Sequence, residues 1–148
     1  MNKQLALYTG LLAMLPISLL AIAFIFWTAM AHEPLAPGWK HLAQFSDLQP
    51  DQPVAVPADR TRHGIYIVRL KDGRIKAFDR ETPLSSRCQM SWSETAVVFH
   101  DPCGGAQFSI EGEYITGPAQ RTLDQYPVRI QGDDVAVDLK TKIKGHDF

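Results

Sequence analysis

Apolar positions along the chain fall into two regimes. From Leu5 to Met30 they run almost unbroken (LALYTGLLAMLPISLLAIAFIFWTAM), and between Lys3 and His32 the only ionisable side chain is that of Tyr8. A bilayer's hydrocarbon core takes about 20 apolar residues in helical form, so the run predicts one transmembrane helix within an anchor spanning residues 1–31. Tyr8 and Trp27 stand near its two ends, where interfacial aromatics sit, and Pro16 predicts a mid-span kink because its ring removes a backbone hydrogen bond. Gly10, Ala13 and Ser18 are small enough for close helix packing. Ala29-Met30-Ala31 also fits a signal-peptide cleavage site. Signal peptides carry apolar regions of only ~7–15 residues, so the length favours an uncleaved anchor. Lys3 and the amino terminus then predict a cytoplasmic N-terminus, with the remainder of the chain on the extracytoplasmic (periplasmic) side.

Past a Pro/Gly-rich linker at residues 32–38 (HEPLAPG), apolar residues come in short alternating bursts with no long helical period. Pro53 to Val56, Ile65 to Leu70, Ile75 to Phe78, Thr95 to His100, Glu113 to Thr116, Val128 to Gln131 and Val135 to Leu139 read as strands. Lys71-Asp72-Gly73 and Gly132-Asp133 provide hairpin turns. Many short strands closely spaced by turns predict an all-β, antiparallel barrel or sandwich, occupying residues 39–140 with a tail at 141–148.

Composition narrows the function classes. After the anchor about 115 residues remain, enough for one small core. A formal net charge of −1 and no cluster of basic with aromatic residues exclude a nucleic-acid surface. Lys140, Lys142 and Lys144 read as a solvated basic end. Two cysteines, Cys88 and Cys103, are compatible either with one disulfide or with two buried thiols. His41, His63 and His100 (beside Asp101) lack ligand spacing for a metal site, Ser85 and Ser86 lack a nucleophile motif, and Trp92 and Phe108 read as core residues.

The segment FHDPCGGAQFSIEGEYITGPAQRTLDQYPVRI, from Phe99 onward, resembles the second half of a Rieske domain, with its C-P-C-H-G-S-x-F loop, Gly hairpin, G-P-A turn and Tyr-x-Val strand. Matching residues are Pro102, Cys103, Gly105, Gln107, Phe108, Gly112, Gly117, Pro118, Ala119, Leu123, Tyr126 and Val128. Upstream, WKHLAQFSDLQPDQPVAV resembles the family's opening strand and GIYIVRLKDGRIKAFD the hairpin leading to its first cluster loop, so the resemblance runs from Trp39 to Leu139. It implies a small antiparallel Rieske-like barrel or sandwich behind one transmembrane helix.

In the resembled family the first loop, C-x-H-x-x-C, supplies one cysteine and one histidine to a [2Fe–2S] cluster, and its last cysteine forms a disulfide to the second loop. Ending that pattern on Cys88 places Pro83 and Ser85 at the two ligand positions, and C-P-C-H maps Asp101 and Gly104 onto the other two. A Rieske centre needs two thiolates and two imidazoles; proline and glycine carry no donor, and a serine with an aspartate cannot substitute. Shifting the register to make Cys88 a ligand puts Met90 at the histidine position and recovers no histidine after Cys103. The resemblance therefore implies no cluster and no metal or other cofactor, but retains a Cys88–Cys103 disulfide. Closing a loop of about 15 residues, that bond is worth ~3 kcal/mol in the chain-entropy model.

The expectation is a non-catalytic, clusterless subunit of a bacterial respiratory or photosynthetic quinol-oxidising complex. Its partners would be quinol- or cytochrome-containing membrane subunits and the lipid bilayer, with no nucleic acid. A transient assembly factor or binding module for exported redox proteins is the alternative, and an electron carrier with unusual metal ligands a third class.

Overall fold

The structure is a computed structural model that describes residues 20–25, 35–58, 61 and 63–148. Residues 20–25 are helical, with Leu20, Ile22, Phe24 and Ile25 exposed. The rest of the expected span from Leu5 to Met30 lies outside the described residues, and among those described no helix is long and apolar enough to cross a membrane. Ala36 to Phe148 form one compact unit.

Thirteen strands are described in that unit: β1 (Trp39–Gln44), β2 (Val54–Val56), β3 (Ile65–Arg69), β4 (Ile75–Asp79), β5 (Glu81–Thr82), β6 (Ser85–Gln89), β7 (Ser91–Ser93), β8 (Val98–His100), β9 (Gln107–Phe108), β10 (Tyr114–Thr116), β11 (Gln125–Tyr126), β12 (Val128–Gln131) and β13 (Asp134–Asp138). They build sheets of order β1-β13-β12, β11-β4-β3-β2, β10-β9-β8-β7 and β5-β6, and every strand pair is antiparallel. The expected all-β antiparallel fold is therefore the observed one.

Side-chain alternation along β3 and β4 explains the layering. Because successive residues point to opposite faces, Ile65, Ile67 and Ala77 face one way and Tyr66, Val68 and Phe78 the other. Both faces are buried. The first set packs with Leu42, Leu48, Val56, Val135 and Val137 beneath the β1-β13-β12 sheet. The second packs with Met90, Phe99, Phe108 and Leu123 beneath β7–β10. The β11-β4-β3-β2 sheet is thus the shared middle layer, and each large side chain it buries contributes roughly 1.5–3 kcal/mol.

Trp92 and Phe108 take the core places expected of them: Phe108 is fully buried, and the Trp92 ring lies 4.9 Å from that of Phe99. The Lys71-Asp72-Gly73 turn joins β3 to β4, with Gly73 at φ +86° supplying a backbone angle that L side chains rarely adopt. Two expectations need correction. The strand expected from Thr95 starts only at Val98, because the chain turns first: the Ala96 amide donates to Ser93 Oγ and the Val97 amide to the Ser93 carbonyl.

The second correction concerns the basic end. Lys142 is exposed but not a free basic end: its Nζ lies 2.7 Å from Asp79, 3.2 Å from Glu81 and 3.4 Å from Asp124. Behind it, Ile143 exchanges backbone hydrogen bonds with Gln125, the His146 carbonyl accepts from the Thr122 amide, and the Phe148 ring stacks 4.5 Å from Tyr114. Residues 141–148 run back along residues 120–126 as part of the domain, because three carboxylates beside a buried strand end need a cation.

Candidate functional site

Two loops meet at the end of the domain beyond β5 and β8. The first is the hairpin between β5 and β6, turning at Pro83-Leu84. Its closure is local: the Ser85 amide donates to Thr82 Oγ1 at 3.1 Å, and the Thr82 hydroxyl donates to the Ser85 carbonyl at 3.2 Å. The second loop, residues 101–106, folds on Asp101, whose backbone amide donates to the Ala106 carbonyl and whose carbonyl accepts from the Gly105 amide. A disulfide joins Cys88 of β6 to Cys103 of the second loop, with Cα atoms 6.2 Å apart. Sequence alone left two buried thiols open as the alternative; the bond is formed.

A third segment braces this pair. Gly117, at φ +102°, lies so close to the second loop that a Cβ there would stand 2.5 Å from Ala106 Cα. Only glycine permits that approach. The Tyr114 hydroxyl donates to the Gly117 carbonyl at 2.7 Å and holds the turn.

The four positions singled out in the sequence gather here. Pro83 lines an open cleft together with Leu84, Pro118, Gln120, Arg121 and Phe148. Ser85 accepts on its hydroxyl from the Arg87 amide at 3.3 Å. Asp101 is wholly buried, and its Oδ1 accepts from the Cys103 amide at 2.9 Å. At Gly104 the space a side chain would need is taken, since a Cβ would stand 2.6 Å from Leu84 Cδ1 and 2.9 Å from Asp101 Oδ2. Together the four positions offer one carboxylate and one hydroxyl, and the nearby sulfurs are consumed in the disulfide.

The histidines weighed in the sequence do not converge. His100 Nδ1 lies 3.4 Å from Ser91 Oγ, His63 faces Glu81 at 3.7 Å, and His41 belongs to β1 opposite Ala136. What the sequence reading missed is the ionic network beside the first loop. Tyr126 donates to Asp79 Oδ2 at 2.9 Å, and Arg121 pairs with Asp124. Burial pushes the Tyr126 phenol well above its ordinary range, and the bond to Asp79 adds to this. Burial opposes the charge on Lys142, but its bond to Asp79 and the neighbouring carboxylates win and raise its pKa. Asp124 is held below its ordinary value: burial raises it, and the Arg121 and Gly145 hydrogen bonds and the Arg121 and Lys142 charges more than compensate. The only signal was three lysines, which by themselves do not reveal which one docks.

No family model matches the chain. It is 36% identical over 50 residues to the cytochrome b6-f complex iron–sulfur subunit of Chlorobaculum thiosulfatiphilum, a match covering 34% of this chain and 28% of that one. It is 30% identical over 82 residues to a Rieske 2Fe–2S iron–sulfur protein of Bacillus subtilis, covering 55% of this chain and 16% of the relative. The chain thus spans less than a third of the length of these curated relatives. Among solved structures it is similar to the plasma-membrane Rieske protein PetC3 of Synechocystis PCC 6803, with a TM-score of 0.55 at 24% identity, covering 66% of this chain and 97% of that one.

Proposed function

Given its likeness to Rieske-type proteins, we propose that the chain is a Rieske-type, non-catalytic, clusterless subunit of a bacterial membrane electron-transfer complex that oxidises quinol, respiratory or photosynthetic. The observation that carries this reading is the donor set where the two loops meet. Pro83, Ser85, Asp101 and Gly104 stand at the positions matched to the iron ligands, and they do not fit a [2Fe–2S] cluster: they contain neither thiolate nor imidazole. The place beside Gly104 is filled by Leu84 rather than left open for an imidazole.

With the electron site gone, what remains is a rigid end for docking. It is tied by a disulfide, braced by the Gly117 turn and carries Leu84, 41% exposed, at its surface. In this reading the apolar run from Leu5 to Met30 anchors the subunit in the bilayer, with the N-terminus cytoplasmic and the domain on the extracytoplasmic face. The similarity to a b6-f complex subunit supports partners of the same kind, quinol- or cytochrome-containing membrane subunits.

The test is purification of the full chain from its native membrane in mild detergent, followed by metal analysis and low-temperature EPR of the reduced sample. Haem-containing membrane subunits are expected in the same particle, with no Rieske spin signal. A stoichiometric [2Fe–2S] signal, or recovery as a lone monomer, would overturn the proposal.

A further inference from the structure

The disulfide has a neighbour that a purely structural bridge does not require. The Cys88 and Cys103 sulfurs and an Asp101 carboxylate oxygen all lie within 4.8 Å of one another. Asp101 is fully buried, and while its Oδ1 accepts from the Cys103 amide, its Oδ2 is buried with no hydrogen-bond partner among the described residues. A carboxylate oxygen in that state costs free energy unless something positive meets it. Arg121, which lines the neighbouring cleft with Leu84, is paired with Asp124 instead.

We propose that reduction of the Cys88–Cys103 disulfide opens a mononuclear site for a thiophilic divalent cation, zinc above all, held by the two thiolates and the Asp101 carboxylate. The chemistry balances. A dithiol reductant passes two electrons and two protons to the S–S bond and becomes a disulfide itself, leaving two thiols here. The metal then displaces both thiol protons to solvent as the two Zn–S bonds form.

Geometry and donor type agree with the assignment. Zn–S bonds of about 2.3 Å in a tetrahedral site place two sulfurs about 3.8 Å apart, a separation that side-chain rotation reaches from Cα atoms 6.2 Å apart. Two sulfur donors and one carboxylate suit a borderline-soft ion and not magnesium or calcium. Cys88 is 3% exposed whereas Cys103 is exposed, so the reductant enters from the Cys103 side and the fourth metal position faces water. Such a site holds one ion and is no cluster, so it goes beyond the docking role and does not depend on it.

The test uses the full chain in detergent, reduced with a phosphine, desalted under inert gas and titrated with Co²⁺ alone and then with Zn²⁺. Reduced protein is expected to bind one Co²⁺ with a thiolate-to-cobalt charge-transfer band in the near ultraviolet, displaced by Zn²⁺, while oxidised protein shows no band. Asp101→Asn keeps the size and the Oδ1 contact and is expected to weaken Co²⁺ binding about tenfold or more. Zinc is also expected to restore the thermal midpoint lost on reduction. Equal binding by Asp101→Asn, binding by the oxidised chain, or a reduced chain that Zn²⁺ fails to restabilise overturns the assignment, because each points to unstructured thiols or to a bridge alone.

Discussion

The two cores on either side of the middle sheet are built differently. The one beneath β1-β13-β12 is aliphatic, with Leu42, Leu48, Ile65, Ile67, Val135 and Val137, and its covering sheet has strands of four to six residues. The one beneath β7–β10 is centred on aromatic rings, those of Tyr66, Phe78, Phe99 and Phe108, and its covering strands have only two or three residues. Long ladders make the first half's order a property of backbone pairing. In the second half, short ladders leave the order to large rings and one covalent bond. A region that resembles a cofactor-binding one keeps its shape here by packing and a disulfide.

Breaking that distinction takes a core deletion first. Phe99 touches Tyr66, Phe78 and Trp92 at ring distances of 5.2, 5.6 and 4.9 Å. Phe99→Ala should cost ~3–5 kcal/mol in denaturant unfolding, with amide protection falling first in β7–β10. Ile67→Ala, at ~2–5 kcal/mol, should instead loosen β1, β12 and β13. Equal loss of protection on both sides after either change would abolish the distinction.

Next in size is the bridge. Replacing both Cys88 and Cys103 by serine should lower stability by about 3 kcal/mol, and hydrogen exchange should rise around residues 81–89 and 101–108 while β12–β13 stay protected.

The Lys142 clamp is smaller because its side chain is 37% exposed. Lys142→Met leaves Asp79 buried without its cation and should cost about 1 kcal/mol after solvent screening. The pH profile follows the same residues. Lys142 and Tyr126 have folded values raised above 10.5 and 10.0. Their contribution is therefore complete below about pH 10 and is lost as pH climbs through the folded values. Asp124, depressed from 3.8, contributes above that pH and its share is lost as pH falls through the folded value. Thermal midpoints measured from acid to alkali should fall at both ends, and Lys142→Met should flatten the alkaline fall. Smallest of all is Gly104→Ala: the atom it meets first, Leu84 Cδ1, ends a flexible side chain. With Asp101 Oδ2 also only 2.9 Å away, a cost of about 1 kcal/mol, the low end for overpacking, is expected, visible as a small midpoint shift.

How much was legible in the sequence follows the same division. β3, β4, β12 and β13 were readable because alternation persists over four or five positions, and the three-residue β2 and β10 because proline or glycine flanks them. β5, β7, β9 and β11 have two or three residues each, too few to carry a period, and they exist because neighbouring strands pair with them. Cys88 and Cys103 stood out by type, and their pairing followed from the family resemblance. Asp101 was noticed as a substitution, while its burial beside the disulfide is a matter of tertiary packing. Leu84 and Lys142 gave no local sign, since an apolar residue after proline and a lysine near the chain's end are commonplace until folding brings Gly104 and three carboxylates to them.

The return of residues 143–148 along residues 120–126 has a practical corollary. Phe148 borders the same cleft as Pro83, Leu84 and Pro118, so an affinity handle fused behind it would emerge beside the surface proposed to meet partners. Pull-down experiments should therefore carry their handle on another segment, such as the solvent-facing Lys71-Asp72-Gly73 turn, to avoid mistaking steric hindrance for a lack of affinity.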